Sequence, residues 1–270
     1  MVKIAILITG EIRIKDFNNL YNSINKFDIF ISTYNDCYEK AKLLTDNIIT
    51  ISRDDKCLNK KTIPYKNIYQ WWHLDKLLRN YKERLQYYDI LFKTRTDCYF
   101  LEPVTENHFS NIDMNSFYMN SDHSFYGNTI IFYKIYENYY NEILTYYINE
   151  GGTKYFPINY INLVESYKNT RKLKYNKFGR GKYKCIRQNI DGGINLQVYP
   201  KHIYHKNINN LIKNIEKYII PKSIKNFDNQ GYIKPPSGNP NFGSEKYNFL
   251  HVVNKVVIKN FELPTVGIIP

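Results

Sequence analysis

In Lys93-Thr94-Arg95-Thr96-Asp97, two cations and a carboxylate recur at every second residue, directly after the apolar run Ile90-Leu91-Phe92. A carboxylate at such a strand end can ligate Mg2+ or Mn2+, which keeps several waters and bridges diphosphate oxygens. Arg95 and Lys93 can neutralise phosphate directly, the arginine through a bidentate fork. The same residues suit a plain strand-end salt bridge among Arg95, Asp97 and Glu102, and spacing alone leaves both readings open. Thr9-Gly10-Glu11-Ile12-Arg13 closes an earlier apolar run. A glycine there lets the backbone approach a ligand, with Arg13 in reach of phosphate. The segment lacks G-x-G-x-x-G and G-x-x-x-x-G-K-[ST], so it supports neither a Rossmann dinucleotide fingerprint nor a P-loop.

Ser121-Asp122-His123-Ser124-Phe125-Tyr126-Gly127-Asn128 gathers an acid, a histidine and a glycine. Asp122 suits a general base for an acceptor hydroxyl, or an Asx turn in which it caps its own backbone. Among the scattered histidines, His251 lies in a late apolar segment and is a candidate metal or phosphate ligand. His202-x-x-His205 lacks the spacing and acids of a zincin. Between Ser166 and Ile190 there are nine Lys or Arg and no acid. Such a stretch is commonly a solvated loop; it could also close over a diphosphate, or track a nucleic acid with Tyr175, Phe178 and Tyr183 between the charges.

These residues need strands and helices to bring them together. The continuous apolar run Lys3–Thr9 suits a strand covered on both faces, Phe27–Thr33 a second, Asn47–Ser52 a third and Ile90–Thr94 a fourth. Lys15–Asn25 has apolar residues at helical spacing, and Trp71, Leu74, Leu77, Leu78, Tyr81 and Leu85 trace one long helix from Ile68 to about Tyr88. Alternating strands and helices predict a doubly wound α/β sheet with helices on both faces. In such sheets ligands bind beyond the carboxyl ends of the strands. Thr9–Arg13, Ser32–Asp36 and Arg95–Asp97 therefore become the places to look. Ser116–Asn120 and Thr129–Tyr133 read as two strands flanking a polar turn at Ser121–Asn128, with helical patterns at Ile135–Asn149 and around Ile158–Tyr167. Short strands near Cys185 and at Ile194–Tyr199, a helix at Asn207–Ile219 and a loop at Pro221–Gly243 complete the expected order. No repeat and no linker divides the sequence into independent domains.

Composition bounds the class. The 270 residues are 43% hydrophobic and 16% aromatic, which excludes an intrinsically disordered chain. No stretch approaches the ~18 uninterrupted apolar residues of a membrane-spanning helix. Glu11 and Arg13 follow the opening apolar run where a signal peptide would have its cleavage site. Four cysteines without a C-x-x-C pair fit a reducing, cytoplasmic compartment. The net charge of +13 calls for phosphate in some form, whether nucleotide, nucleic acid or anionic lipid.

Several segments line up with one known pattern. They are Gly10-x-x-Arg13, Phe27-Asp28-Ile29-Phe30-Ile31-Ser32-Thr33-Tyr34, Asn67-x-x-Gln70, Tyr88-Asp89-Ile90-Leu91-Phe92-Lys93-Thr94-Arg95-Thr96-Asp97 and Ser121-Asp122-x-x-x-Tyr126-Gly127. Over roughly residues 1–150 the chain resembles the WavE-like polysaccharide-biosynthesis glycosyltransferases. The resemblance implies a GT-A fold in a single compact unit, with residues 1–100 as the nucleotide-sugar-binding half and 101–270 as the acceptor-binding half. It implies transfer of a sugar from a UDP- or GDP-sugar to a glycan or lipid-linked acceptor, with inversion, aided by Mn2+ or Mg2+. Nucleic acid is not an expected partner. Asp97 matches the last Asp of the family type's D-x-D metal motif, while Arg95 stands where the first Asp belongs. Thr9, Gly10 and Arg13 would face the nucleotide and its diphosphate, and Ser32, Thr33 or Asp36 the base or ribose. Asp122 would be the catalytic base, with Glu165 in reserve. The two rival readings are a basic nucleic-acid-binding protein and a nucleotide-sugar binder without transferase activity.

Overall fold

The structure, a computed structural model, describes residues 2–55, 68–120, 123–150, 156–157, 159, 162, 165–166, 169, 232–233, 244–261, 263 and 265–268. The chain divides into two compact units: residues 1–118, 123–140 and 261–270 form the first, and residues 119–122 and 141–260 the second.

In the first unit, β1 (Ile4–Thr9), β2 (Asp28–Tyr34), β3 (Ile48–Ile51) and β4 (Ile90–Thr94) are mutually parallel. β7 (Ser124–Asn128) runs antiparallel to β4, and β6 (Ser116–Asn120) lies beyond it. Across the sheet the order is β6-β7-β4-β1-β2-β3. Every residue of β1 and β4 is buried, which is why β1 and the Ile90-Leu91-Phe92 start of β4 read as unbroken apolar runs rather than alternating ones. One face carries Ile4, Ile6, Ile8, Ile29, Ile31, Ile90 and Phe92. Helices α1 (Phe17–Ile24) and α2 (Tyr38–Lys42) cover it with Leu20, Ile24 and Ala41. Asp16 starts α1 by accepting from the Asn19 amide at 2.9 Å. The other face lies under α3 (Ile68–Asn80) and α5 (Thr129–Tyr136). There Trp71 stacks on Phe125 and Tyr136, and Tyr139 meets it edge-on at 5.0 Å. The expected α/β sheet with helices on both faces is present.

Two local expectations need correcting. Ser124–Asn128 is strand β7, not part of a polar turn, and Thr129–Tyr133 belongs to helix α5, not to a strand. Ser124, Phe125, Tyr126 and Gly127 are all buried between neighbouring strands, so their mixed polarity marks no exposed turn. Asn128 then starts the helix by accepting from the Ile130 amide at 3.0 Å, and Thr129, Phe132, Ile135 and Tyr136 fall on one helical face. The long helix is also broken. Tyr81 leaves helical geometry at φ −106°, ψ 16°, separating α3 from α4 (Lys82–Leu85), and its ring packs edge-on against Phe30.

Gly127 is needed where it stands. A Cβ there would lie 2.7 Å from Cδ2 of Phe117, a fully buried ring locked among Phe125, Phe132 and Tyr136. Gly127→Ala is expected to cost about 1–3 kcal/mol through overpacking. Urea unfolding followed by circular dichroism measures it, and an unchanged midpoint would show that the Phe117 ring moves freely.

A short antiparallel pair completes this unit: β5 (Cys98–Phe100) with β11 (Thr265–Ile268). In the second unit, β8 (Phe156–Pro157) pairs with β9 (Tyr232–Ile233), and α7 (Ser244–Lys255) leads into β10 (Val257–Asn260). Ser166 fastens this turn, accepting from the Ile258 amide at 2.8 Å. Helix α6 (Tyr139–Glu150) passes from the first unit into the second. No helix among the described residues is long and apolar enough to cross a membrane. The strands expected near Cys185 and at Ile194–Tyr199, the helix at Asn207–Ile219 and most of the basic stretch lie outside the described residues.

Candidate functional site

Strands β1, β2 and β3 step outward in one direction, and β4 returns to the other side of β1. That reversal makes the crevice beyond the carboxyl ends of β1 and β4 the switch point where α/β sheets bind ligands. Gly10 turns the chain there with φ +95°, its amide donating to the Ser32 carbonyl at 2.9 Å. A Cβ at Gly10 would meet nothing within 4 Å, so glycine is required by backbone conformation and not by crowding. The turn also reaches the segment just beyond β4, because the Arg13 amide donates to Thr96 Oγ1 at 2.8 Å. Two of the segments singled out in the sequence thus meet at the switch point.

A network of charges rims the turn. Glu11 accepts from Arg13 Nε at 2.7 Å through one oxygen and from Arg53 Nη2 at 3.0 Å through the other. Arg53 also donates to Asp36 at 2.7 Å and lies over the Tyr34 ring, 4.3 Å from its centroid. Hydrogen bonds from Arg13 and Arg53 hold Glu11 below the usual carboxylate range, with burial opposing them. The bond from Arg53 does the same for Asp36. The two carboxylates in turn raise the pKa of Arg53, keeping it charged at every relevant pH. Arg53 follows β3 as Arg13 follows β1. The rule about residues beyond each strand end pointed to it, had it been applied to Ile51-Ser52-Arg53.

At the end of β4, the Arg95 fork grips Asp97, Nε to Oδ1 at 2.8 Å and Nη2 to Oδ2 at 2.6 Å. Arg95 Nη1 lies 3.1 Å from Nδ1 of His123. A guanidinium only donates, so Nδ1 accepts and the proton of His123 sits on Nε2. Burial works to raise the Asp97 pKa, but the hydrogen bonds and charge of Arg95 win and hold it low. The salt bridge read as one alternative in the sequence is therefore formed between Arg95 and Asp97; Glu102 pairs with His108 instead. Lys93 is fully buried on the face that carries Phe125, with Nζ 3.3 Å from the His123 carbonyl oxygen and 5.2 Å from the Phe125 ring centroid.

Beneath the turn, Ser32 Oγ lies 3.0 Å from Nδ1 of His73, a fully buried residue of α3. Thr9 Oγ1, Thr33 Oγ1 and His73 Nε2 are buried with no hydrogen-bond partner among the described residues. Buried polar atoms nearly always find a partner, so Thr9 Oγ1 and His73 Nε2, on the side of the sheet that carries Ser32, mark places where water or ligand completes the structure, while Thr33 points to the opposite face.

The remaining candidates lie elsewhere. Asp122 is outside the described residues. Glu165 and His251 belong to the second unit, where Glu165 is half-buried and the buried His251 pairs through Nδ1 with Glu142 at 3.0 Å. Burial acts to raise the Glu142 pKa, but the contacts from His251 and Lys255 hold it below the ordinary value. Among the described residues there is no group of three or more His, Cys, Asp or Glu that could hold a metal ion. Both oxygens of Asp97 are taken by Arg95, so the described side chains do not by themselves form a cation site. No protein-family model matches the chain, and no curated protein matches it significantly.

Proposed function

We propose that the first unit binds a nucleotide-sugar beyond the carboxyl ends of β1 and β4, and that the protein is a glycosyltransferase delivering that sugar to a glycan or lipid-linked acceptor. The reading rests on the resemblance of residues 1–150 and on one observation. At the reversal of strand order, a positive-φ glycine turn is tied to β2 and to the segment just beyond β4 and carries two arginines on its rim. In this reading the sheet is of GT-A type and the leaving diphosphate sits against Gly10, Arg13 and Arg53. Fixed cations there stabilise the charge that develops as the bond to the sugar breaks. The buried Thr9 and Ser32 hydroxyls and His73, on one side of the sheet, offer donors and acceptors for the nucleoside. Asp122 remains the proposed base. A Mn2+ or Mg2+ ion, which often relies on substrate phosphates and water for most of its ligands, would supply further positive charge, and Asp97 could join it only by leaving Arg95.

A thermal-shift screen of UDP-, GDP-, CMP- and dTDP-sugars, with and without Mn2+, tests the reading. Ligand at about 100 times its Kd stabilises the fold by about 2.7 kcal/mol, a shift of several degrees. One nucleotide class should raise the melting temperature and the others should not. If none does, the transferase reading fails. Stabilisation by nucleic acid, lost with rising salt and unaffected by Arg13→Ala, would favour the nucleic-acid alternative.

A further inference from the structure

Glu11 differs from the other acids at the strand ends in being shared by two arginines, one on each oxygen. Neighbouring oxygens of a phosphate would meet the same two guanidinium groups. We propose that Glu11 is an internal anion occupying the seat of a ligand phosphate, and that an incoming diphosphate displaces it from Arg13 and Arg53. The inference rests on the reading of this turn as a nucleotide-sugar site and names the residues that receive its diphosphate.

Three features make Glu11 exchangeable while Arg53 stays in place and Arg13 stays near. Arg53 does not depend on Glu11 for its position, because its Nε is held by Asp36 and its plane by Tyr34. The backbone of Arg13 is anchored to Thr96 on the far side of the crevice. Removal of the carboxylate therefore leaves Arg53 oriented as a donor, while the Arg13 side chain, 59% exposed, stays tethered beside it only through its backbone. Glu11 itself is a third exposed and follows a positive-φ glycine beside open space, so its side chain can swing into water. Asp97 is the contrast: its side chain is only 7% exposed and gripped by a single fork, so nothing displaces it cheaply.

The exchange is favourable in charge. One carboxylate brings a single negative charge to two cations, whereas a diphosphate brings two or more and has oxygens to spare. The internal anion still competes, because ligand binds only the fraction of molecules in which Glu11 has left. It also rejects weakly charged anions, which cannot outbid a tethered carboxylate.

The test is calorimetric titration of the full chain with inorganic pyrophosphate, without divalent cation and at low ionic strength. Exposed ion pairs are weak, so removing the competitor in Glu11→Gln and Glu11→Ala should tighten pyrophosphate binding roughly three- to tenfold. Arg53→Ala should weaken it by about tenfold or more. Unchanged or weaker binding in both Glu11 variants overturns the exchange, as does wild-type affinity in Arg53→Ala or no pyrophosphate binding at all. The two readings fail separately. Tightened pyrophosphate binding with no nucleotide-sugar shift keeps the anion exchange and removes the transferase; a nucleotide shift with Glu11-independent pyrophosphate binding does the reverse.

Discussion

Replacing Arg95 with alanine is expected to destabilise the protein by about 3 kcal/mol. Asp97 would keep its burial but lose both guanidinium contacts, at 2.8 and 2.6 Å, and Nδ1 of His123 would lose its donor. Removing one partner of a buried ion pair costs about 3–5 kcal/mol, because the other charge is left in a poor solvent. Arg95 is 26% exposed against 7% for Asp97, and the water that reaches the pair places the cost at the lower end. The reverse substitution behaves differently. Asp97→Asn removes the buried charge and leaves an arginine that can turn to solvent, so about 1 kcal/mol is expected. Urea midpoints of the two variants and their combination measure the asymmetry, and the combination should cost far less than the sum. A loss below about 1 kcal/mol for Arg95→Ala would mean that Asp97 finds other company, and would reopen it as a metal ligand.

Lowering the pH from 7 towards 4 is expected to remove about 3 kcal/mol of stability through His73 alone. Burial of His73 on the inner side of α3, with the charge of Arg53 adding to it, depresses the imidazole pKa from 6.5 to about 4. The unfolded chain therefore takes up a proton below pH 6.5 while the folded one refuses it until about pH 4. More protons on the unfolded state means stability falls as pH falls, across the window from about 6.5 to about 4. Above that window the histidine is neutral in both states and contributes no slope. Glu11, Asp36 and Asp97, whose pKa values are lowered, also lose stability on acidification, but only from the ordinary carboxylate range downward. The interval between pH 6.5 and about 4.5 therefore isolates the histidine. His73→Gln, compared with wild type across that interval, should flatten the dependence. If both proteins show the same slope, the imidazole is not held neutral by its burial.

Much of the first unit was open to reading from pattern alone. β1, β2 and β4 are buried on both faces, so their side chains carry no alternation to decipher and read as short apolar runs between polar turns. The strand-end rule then named Gly10, Arg13, Ser32, Arg95 and Asp97 without any tertiary knowledge. What pattern could not supply was pairing across the sequence. Arg53 meets Glu11 across 42 residues, Ser32 meets His73 across 41, and Arg95 meets His123 across 28. No local period encodes such meetings. The same limit left Asp97 undecided between metal ligand and salt bridge, since both need the same residues in the same order. The misreading of Ser124–Tyr133 had another cause. Polar residues in β7 are buried by strands from elsewhere, while Ile130 and Ile131 carry strand propensity into a helix whose start depends on one asparagine cap. β5 and β11 were too short to leave a periodic trace.

The placement of Trp71 has an optical consequence. The chain contains two tryptophans, and they are adjacent on α3, with Trp71 1% and Trp72 8% exposed. Indole emission from this protein is thus the signal of a single helix, lying against the sheet face that carries Phe125, and the same helix holds His73 against Ser32. Twenty-seven tyrosines feed excitation towards that pair wherever they come close enough. The parallel stacking of Trp71 on Tyr136, with an interplanar angle of 9°, couples the two ring transitions and gives the near-ultraviolet dichroism a fingerprint of the packed state. The molecule carries its own built-in fluorophore, on the helix whose His73 meets Ser32, the residue that accepts from the Gly10 amide.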